Sequence, residues 1–308
     1  MAKENSMAIE TLTGTKTRRE VLQALGALGI GGSLAQFGMP GAFAQTRRTP
    51  PGIHFGVQLN AFPINPRNFQ SFLDVLAEVK QVGYQGFESS FRNISQQFAD
   101  PAPARRSIEQ TGLTFFGIHI YFPDEMYDKN TLIASPAVYE PVGRGGAALG
   151  AKHLILSGAP AANPGQLKAK IEGLNAAGRF AQSVGLTAAY HNEKGSMEEL
   201  EALYTQADPS LVHFLLDAGH AYNSGVNVPA FIRAHFKRII GFHLRDFRNG
   251  RLVTLGTGTF PLAEVAATIK QLGWKGWVEN EEEREDHSQT GLKVIAPAYK
   301  AMTEAFSS

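Results

Sequence analysis

What most constrains this chain is a unit that recurs along it: an apolar run at helical spacing, a glycine, then a short apolar segment ending in a polar residue. Phe69, Phe72, Leu73, Leu76, Val79 and Val82 mark a helix over 68–82, Gly83 closes it, and Tyr84-Gln85-Gly86-Phe87-Glu88 follows as a strand. His54 to Leu59 supplies the strand before it. The unit returns as a helix over 105–111, Gly112 and a strand ending in His119. It returns again as 136–149, Gly150 and 151–157, and as 167–184, Gly185 and 186–193. Helices over 197–207, 228–236 and 261–272 lead to three further strands, and the residues after Leu292 form a last helix. Strands that follow helices with no hairpin signals predict a parallel sheet, and eight units predict a closed barrel of one domain. A doubly wound open sheet is the alternative, but no glycine-rich phosphate loop follows the first strand.

Between Gly185 and Glu281 four of the predicted strands end in metal-type ligands. The endings are Tyr190-His191-Asn192-Glu193, Leu216-Asp217-Ala218-Gly219-His220, Phe242-His243-Leu244-Arg245-Asp246 and Val278-Glu279-Asn280-Glu281. Parallel strands bring such endings to one rim, where barrels of this architecture build their sites. Side chains alternate along a strand, so His191 shares a face with Glu193, His243 with Arg245, and Glu279 with Glu281. If that face is the interior, His191 or Glu193, Asp217, His243 and Glu279 converge as mixed nitrogen and oxygen donors. That set suits one divalent ion such as Mn, Zn, Mg or Co. The chain has no cysteine, which excludes thiolate ligands and nucleophiles. Each residue also has a plainer explanation: a helix amino-terminal cap for Asp217 and Asp246, hydrogen-bonded structure for a lone histidine, and a solvated loop from Glu282 onward. It is the succession of four endings that favours the metal.

The first 44 residues read as a leader. Thr17-Arg18-Arg19-Glu20-Val21-Leu22-Gln23 is a twin-arginine signature, a Gly- and Ala-rich apolar stretch follows from Ala24 to Phe37, and Ala42-Phe43-Ala44 is a small-x-small cleavage site. The expectation is a cleaved signal peptide over 1–44, export to the periplasm by the twin-arginine route, and a folded domain over 45–308. The apolar stretch is broken by Gly and Ser, so no stable membrane span is expected. The leader holds four Lys/Arg and three Asp/Glu, which accounts for the whole +1 formal charge of the chain. A neutral mature surface excludes a general nucleic-acid binder.

The endings His-Asn-Glu, Leu-Asp-Ala-Gly-His, Phe-His-Leu-Arg-Asp and Gly-Trp-Val-Glu, with Leu255-Gly256-Thr257-Gly258-Thr259-Phe260, resemble the xylose-isomerase-like superfamily of sugar isomerases and epimerases. Gly83-Tyr84-Gln85-Gly86-Phe87-Glu88 and the strand ending in His119 are similar to its second and third strands. The resemblance covers nearly all of the mature chain and implies a single-domain α/β fold, the (β/α)8 TIM barrel. It further implies metal ligands at Asp217, His243 and Glu279, with His191 aligned where many members carry a glutamate and Glu193 two positions on. It places His220 and Arg245 on substrate hydroxyl or oxyanion groups, and Glu88, His119 and Glu281 among substrate contacts.

The implied chemistry is metal-dependent isomerisation or epimerisation of a sugar or keto-sugar through an enediolate, with Glu279 or Glu193 as base. Losing the strand-five glutamate puts a two-base epimerase in doubt unless Glu193 takes that role. A lyase or dehydratase acting on a keto-sugar or glycoside at the same metal is the alternative. A non-catalytic carbohydrate-binding or accessory subunit is a further one. The partner is then a small-molecule sugar, and a homo-oligomer is compatible with the pattern.

Overall fold

In a computed structural model, residues 50–193, 195–283 and 290–307 are described. The export signal expected over 1–44 lies outside them. Eight parallel strands close into a barrel: β1 (Ile53–Gln58), β2 (Gly86–Ser90), β3 (Thr114–Ile120), β4 (His153–Leu156), β5 (Thr187–His191), β6 (Val212–Asp217), β7 (Ile239–Leu244) and, after a short hairpin, β10 (Gly276–Asn280). Neighbours run in chain order, and β10 closes the circle against β1, with Gly56 opposite Glu279. The fold is the single-domain (β/α)8 TIM barrel.

Helices cover the outside: α1 (Phe69–Val82), α2 (Pro101–Gln110), α3 (Pro136–Leu149), α4 (Pro164–Ser183), α5 (Met197–Gln206), α6 (Ala218–Asn223), α7 (Val228–His235), α8 (Leu262–Gln271) and α9 (Leu292–Ser307). α1 illustrates the local logic. The Asn68 side chain caps its start by accepting from Gln70 N, Phe72, Val75, Leu76 and Val79 turn inward, and Gly83 ends it at φ 114°, a left-handed conformation that glycine adopts without cost. Among the described residues no helix is long and apolar enough to cross a membrane.

Two details differ from the sequence reading. α2 and α4 begin at Pro101 and Pro164 rather than at 105 and 167, because proline is well suited to a first turn that has no intrahelical partner for its N–H. A hairpin also follows β7: β8 (Asp246–Arg248) pairs antiparallel with β9 (Arg251–Val253). Asn249 and Gly250 turn it with φ of 53° and 72°, the Asn-Gly pattern of a two-residue hairpin loop. The expectation of no hairpin signal is therefore corrected at this point.

The barrel interior is layered. Phe116, Ile155, Ala189 and Leu215 form an apolar floor with Ile240 and Trp277 packed against it. One pleat further along β4, β5 and β6 the inward residues become Ser157, His191 and Asp217. On β3 the step from Phe116 to His119 is three residues, because its pairing with β2 skips Phe116 between Phe87 and Glu88. That irregularity lets both side chains face the interior. A dry floor thus carries a buried polar tier, which opens at the carboxyl ends of the strands.

Candidate metal centre

Each site residue is placed by its strand end. His191 closes β5, and Asn192 after it fastens β5 to β6: its amide donates to Asp217 O at 3.0 Å, and its carbonyl accepts from Asp217 N at 2.9 Å. Asp217 closes β6 and also caps α6, one oxygen accepting from His220 N at 2.7 Å. Asp246, by contrast, caps no helix. It accepts backbone N–H groups from Phe247, Gly256, Gly258 and Phe260 and so organises the loop after β7.

His191, Asp217, His243 and Glu281 are all buried and each turns one donor atom into a cluster whose members lie within 4.8 Å of one another. His191 Nε2 stands 3.3 Å from Glu281 Oε2 and 3.5 Å from Asp217 Oδ2, and His243 Nδ1 is 2.5 Å from Glu281 Oε2. The expected set had Glu279 in this place and Glu281 among the substrate contacts. In the structure Glu279 lies on the far side of His243, 3.8 Å from its Nε2, and groups with Glu88. Barrel shear explains the exchange. Strands tilt against the axis, so the position at a given height advances by about one residue per strand. Strand register places Glu279 opposite His243, yet across the three strand steps from β5 to β10 the residue level with His191 is the later glutamate.

Arg245 is almost fully buried. Its Nε lies 2.6 Å from Asp217 Oδ2, its Nη1 is 3.1 Å from Glu283, and its Nη2 pairs with Glu281. The guanidinium therefore grips the carboxylates of the cluster instead of facing open space, where a substrate oxygen was expected. Glu193 reaches back from beyond β5, with Oε1 3.1 Å from His191 Nδ1 and Oε2 3.4 Å from His220 Nε2. Its side chain is 20% exposed and that of His220 10%. Glu88 and His119 are buried beneath, 2.8 Å apart, and His119 Nε2 meets Ser157 Oγ at 2.8 Å. All ten residues expected at the site thus lie in one connected region. Ser157 and Glu283 were missed. The strand-end rule that found His119 applies equally to Ser157, whereas Glu283 looked like part of a charged loop.

The electrostatics are dominated by carboxylates. Burial raises the pKa of every one, but for Glu88 and Asp217 neighbouring cations reverse the effect: His243 and His119 bring Glu88 down to about 2, and Arg245 with the histidines brings Asp217 to about 2. Burial likewise acts against the charge on Glu193, yet His191 and His220 hold it well below the usual carboxylate range. For Glu279 burial prevails: His243 offsets only part of it, Glu88 and Glu281 add to it, and the carboxyl is pushed up to about 8. His191 and His243 are pushed down by burial, but the surrounding carboxylates raise both well above an ordinary imidazole.

A divalent cation fits this environment. His191 Nε2 and Asp217 Oδ2 are buried without an aligned hydrogen bond. The donor set of two imidazoles and two carboxylates is one that such ions accept, and three acidic side chains, Asp217, Glu281 and Glu283, pair with the single guanidinium of Arg245.

Closed barrel, dry floor and a donor cluster at the carboxyl rim define the class: a (β/α)8 barrel with an enzyme-type site built from strand ends. Within that class the chain belongs to the xylose isomerase-like TIM barrel family, which matches residues 76–300. An inosose dehydratase of Bacillus licheniformis is 32% identical over 152 residues, 42% of this chain and 51% of the relative. The matched region therefore spans about half the length of that curated relative. Among solved structures, an IolI protein with a bound zinc atom superposes with a TM-score of 0.66 at 15% identity, over 82% of this chain and 98% of that one. The 3-keto-D-glucoside 4-epimerase of E. coli gives 0.63 at 15%, over 83% and 100%. At these identities the likeness is one of fold.

Proposed function

We propose that the protein is a metal-dependent dehydratase of a keto-polyol or keto-sugar, with Glu193 as base and His220 as acid. A divalent ion held by His191, Asp217, His243 and Glu281 would polarise a substrate carbonyl and acidify the neighbouring C–H. Glu193, kept ionised by the imidazoles beside it, takes that proton. The C–H electron pair becomes a carbon–carbon double bond, the bond from the next carbon to its hydroxyl breaks, and His220 in its protonated form gives the leaving oxygen the proton that makes it water. Glu193 then returns its proton to His220, 3.4 Å away, which resets both groups.

The observation that carries this reading is the pairing of Glu193 with His220, 3.4 Å apart with side chains 20% and 10% exposed. Glu193 and His220 reach the mouth together from β5 and α6. Strand five supplies a histidine to the cluster, and Glu279, the other base expected from the sequence, is buried beside His243 Nε2. Proton return from the opposite face of a carbon needs a group there. The similarity to an inosose dehydratase points the same way.

Isomerisation or epimerisation is the second reading, favoured by Glu283. This carboxyl is 31% exposed in the β10 loop, and burial together with Glu281 raises its pKa, as an acid on the opposite side would need. The two readings separate in deuterated water, with zinc- or manganese-loaded protein and inososes and 3-keto-sugars as substrates. For dehydration, Glu193→Gln abolishes both C–H exchange and water loss, while His220→Gln keeps exchange and slows water loss by about 10²-fold or more. Epimeric product that depends on Glu283 and not on His220 would favour the second reading. Metal-loaded protein that neither exchanges nor converts any of these substrates would favour a binding role.

A further inference from the structure

We propose that Glu88 is a positioning residue of the metal centre: its carboxylate holds His243 and His119 by one nitrogen each, so that His243 turns Nδ1 toward the ion. This rests on the metal reading above. Glu88 was expected to contact substrate, but it has no exposed surface and both of its oxygens are engaged. Oε1 is 2.8 Å from His119 Nδ1, and Oε2 is 3.1 Å from His243 Nε2.

A carboxylate only accepts, so the imidazole nitrogen facing it carries the hydrogen. His243 Nε2 therefore carries a hydrogen toward Glu88, and Nδ1, 2.5 Å from the Glu281 carboxylate, carries the other until an ion in the cluster takes its place. A neutral imidazole has two tautomers, and one of them is unable to bind the ion through Nδ1. Fixing the choice, and the ring plane with it, is what a carboxylate behind a metal-ligating histidine accomplishes.

The surroundings suit that task. The pairing of β2 with β3 shifts register between Phe87 and Glu88 because β3 carries the extra residue Phe116, and that shift turns His119 inward to meet Glu88. His119 takes the other oxygen and is itself anchored at Nε2 by Ser157 Oγ at 2.8 Å, so the carboxylate is braced from both sides of the barrel. The chain Ser157, His119, Glu88, His243 thus runs from the end of β4 to β7 beneath the cluster, and at the mouth Ser157 Oγ donates to Glu193 Oε1 at 2.8 Å.

The test measures zinc affinity by competition with a chelating dye, together with 15N spectra of histidine-labelled protein. Zinc-loaded wild type should show His243 bound through Nδ1 with its hydrogen on Nε2, a result that needs no variant to fold. Glu88→Gln should weaken zinc binding about 10- to 100-fold and lose that single tautomer, while His119→Gln, which leaves the His243 contact in place, should cost less than about tenfold. Unchanged affinity in Glu88→Gln, or His243 bound through Nε2, overturns the proposal. Asp217→Asn separates the two levels. If wild type binds zinc and Asp217→Asn does not, the metal reading stands and the Glu88 result decides the positioning role alone. If wild type binds no zinc, both fall.

Discussion

Asp217 caps α6 with one oxygen and turns the other toward His191 and Arg245, so a helix cap and a candidate metal ligand coexist in one side chain. His153 shows the opposite outcome for a polar residue in the barrel. It starts β4 against the Phe116 ring, centroids 4.5 Å apart, with Nδ1 buried and unpartnered. Burial first, then His213, lowers its pKa from 6.5 to about 4. Because the folded-state value is the lower one, the unfolded chain takes up this proton first as pH falls. The effect is absent above about pH 7, sets in below 6.5 and is complete near 4, where it destabilises the fold by about 2–3 kcal/mol. Urea unfolding of His153→Gln should therefore gain stability relative to wild type between pH 6.5 and 4, with a constant offset above 7. A constant offset across the whole range would contradict this.

The element whose form was least foreseen is the loop between β7 and α8. Its shape depends on one carboxylate: Asp246 accepts from Phe247, Gly256, Gly258 and Phe260 at 2.7 to 3.0 Å. A Cβ on Gly258 would stand 2.2 Å from that carboxylate, so the Gly-Thr-Gly run is the backbone closing on Asp246. Asp246→Ala should cost about 2–4 kcal/mol, since several amides lose their acceptor together. Hydrogen exchange at Gly256, Gly258 and Phe260 should accelerate while β1 to β4 stay protected; unaltered exchange at these amides would remove Asp246 from that role. Much else at this scale was legible. Glycine after an apolar helical run located the end of α1 and α3, since only the left-handed turn there demanded it. Helix starts were harder to read, because a first-turn proline in α2 or α4 looks like a loop residue until its N–H is seen to need no partner. The Asn249-Gly250 turn was visible as a dipeptide but lacked long flanking strands to advertise it.

For the whole molecule, alternation along strands predicted which residues face inward, and closure of the barrel decided which of them meet. His191, Asp217 and His243 could be placed from their own strand ends. The choice between Glu279 and Glu281 depends on shear accumulated around the barrel, a property of the closed sheet that no local window contains. The resemblance likewise placed Arg245 on a substrate oxygen, and what the closed barrel adds is that Asp217, Glu281 and Glu283 enclose it.

That choice of glutamate is directly measurable. The measurement is a zinc titration, read as ions bound per chain, on wild type, Glu281→Gln and Glu279→Gln, each checked for folding by circular dichroism. One ion should bind per wild-type chain. Binding should weaken at least about 100-fold in Glu281→Gln and be essentially retained in Glu279→Gln. Retention in Glu281→Gln with loss in Glu279→Gln would contradict the cluster as described and restore the ligand set expected from the sequence.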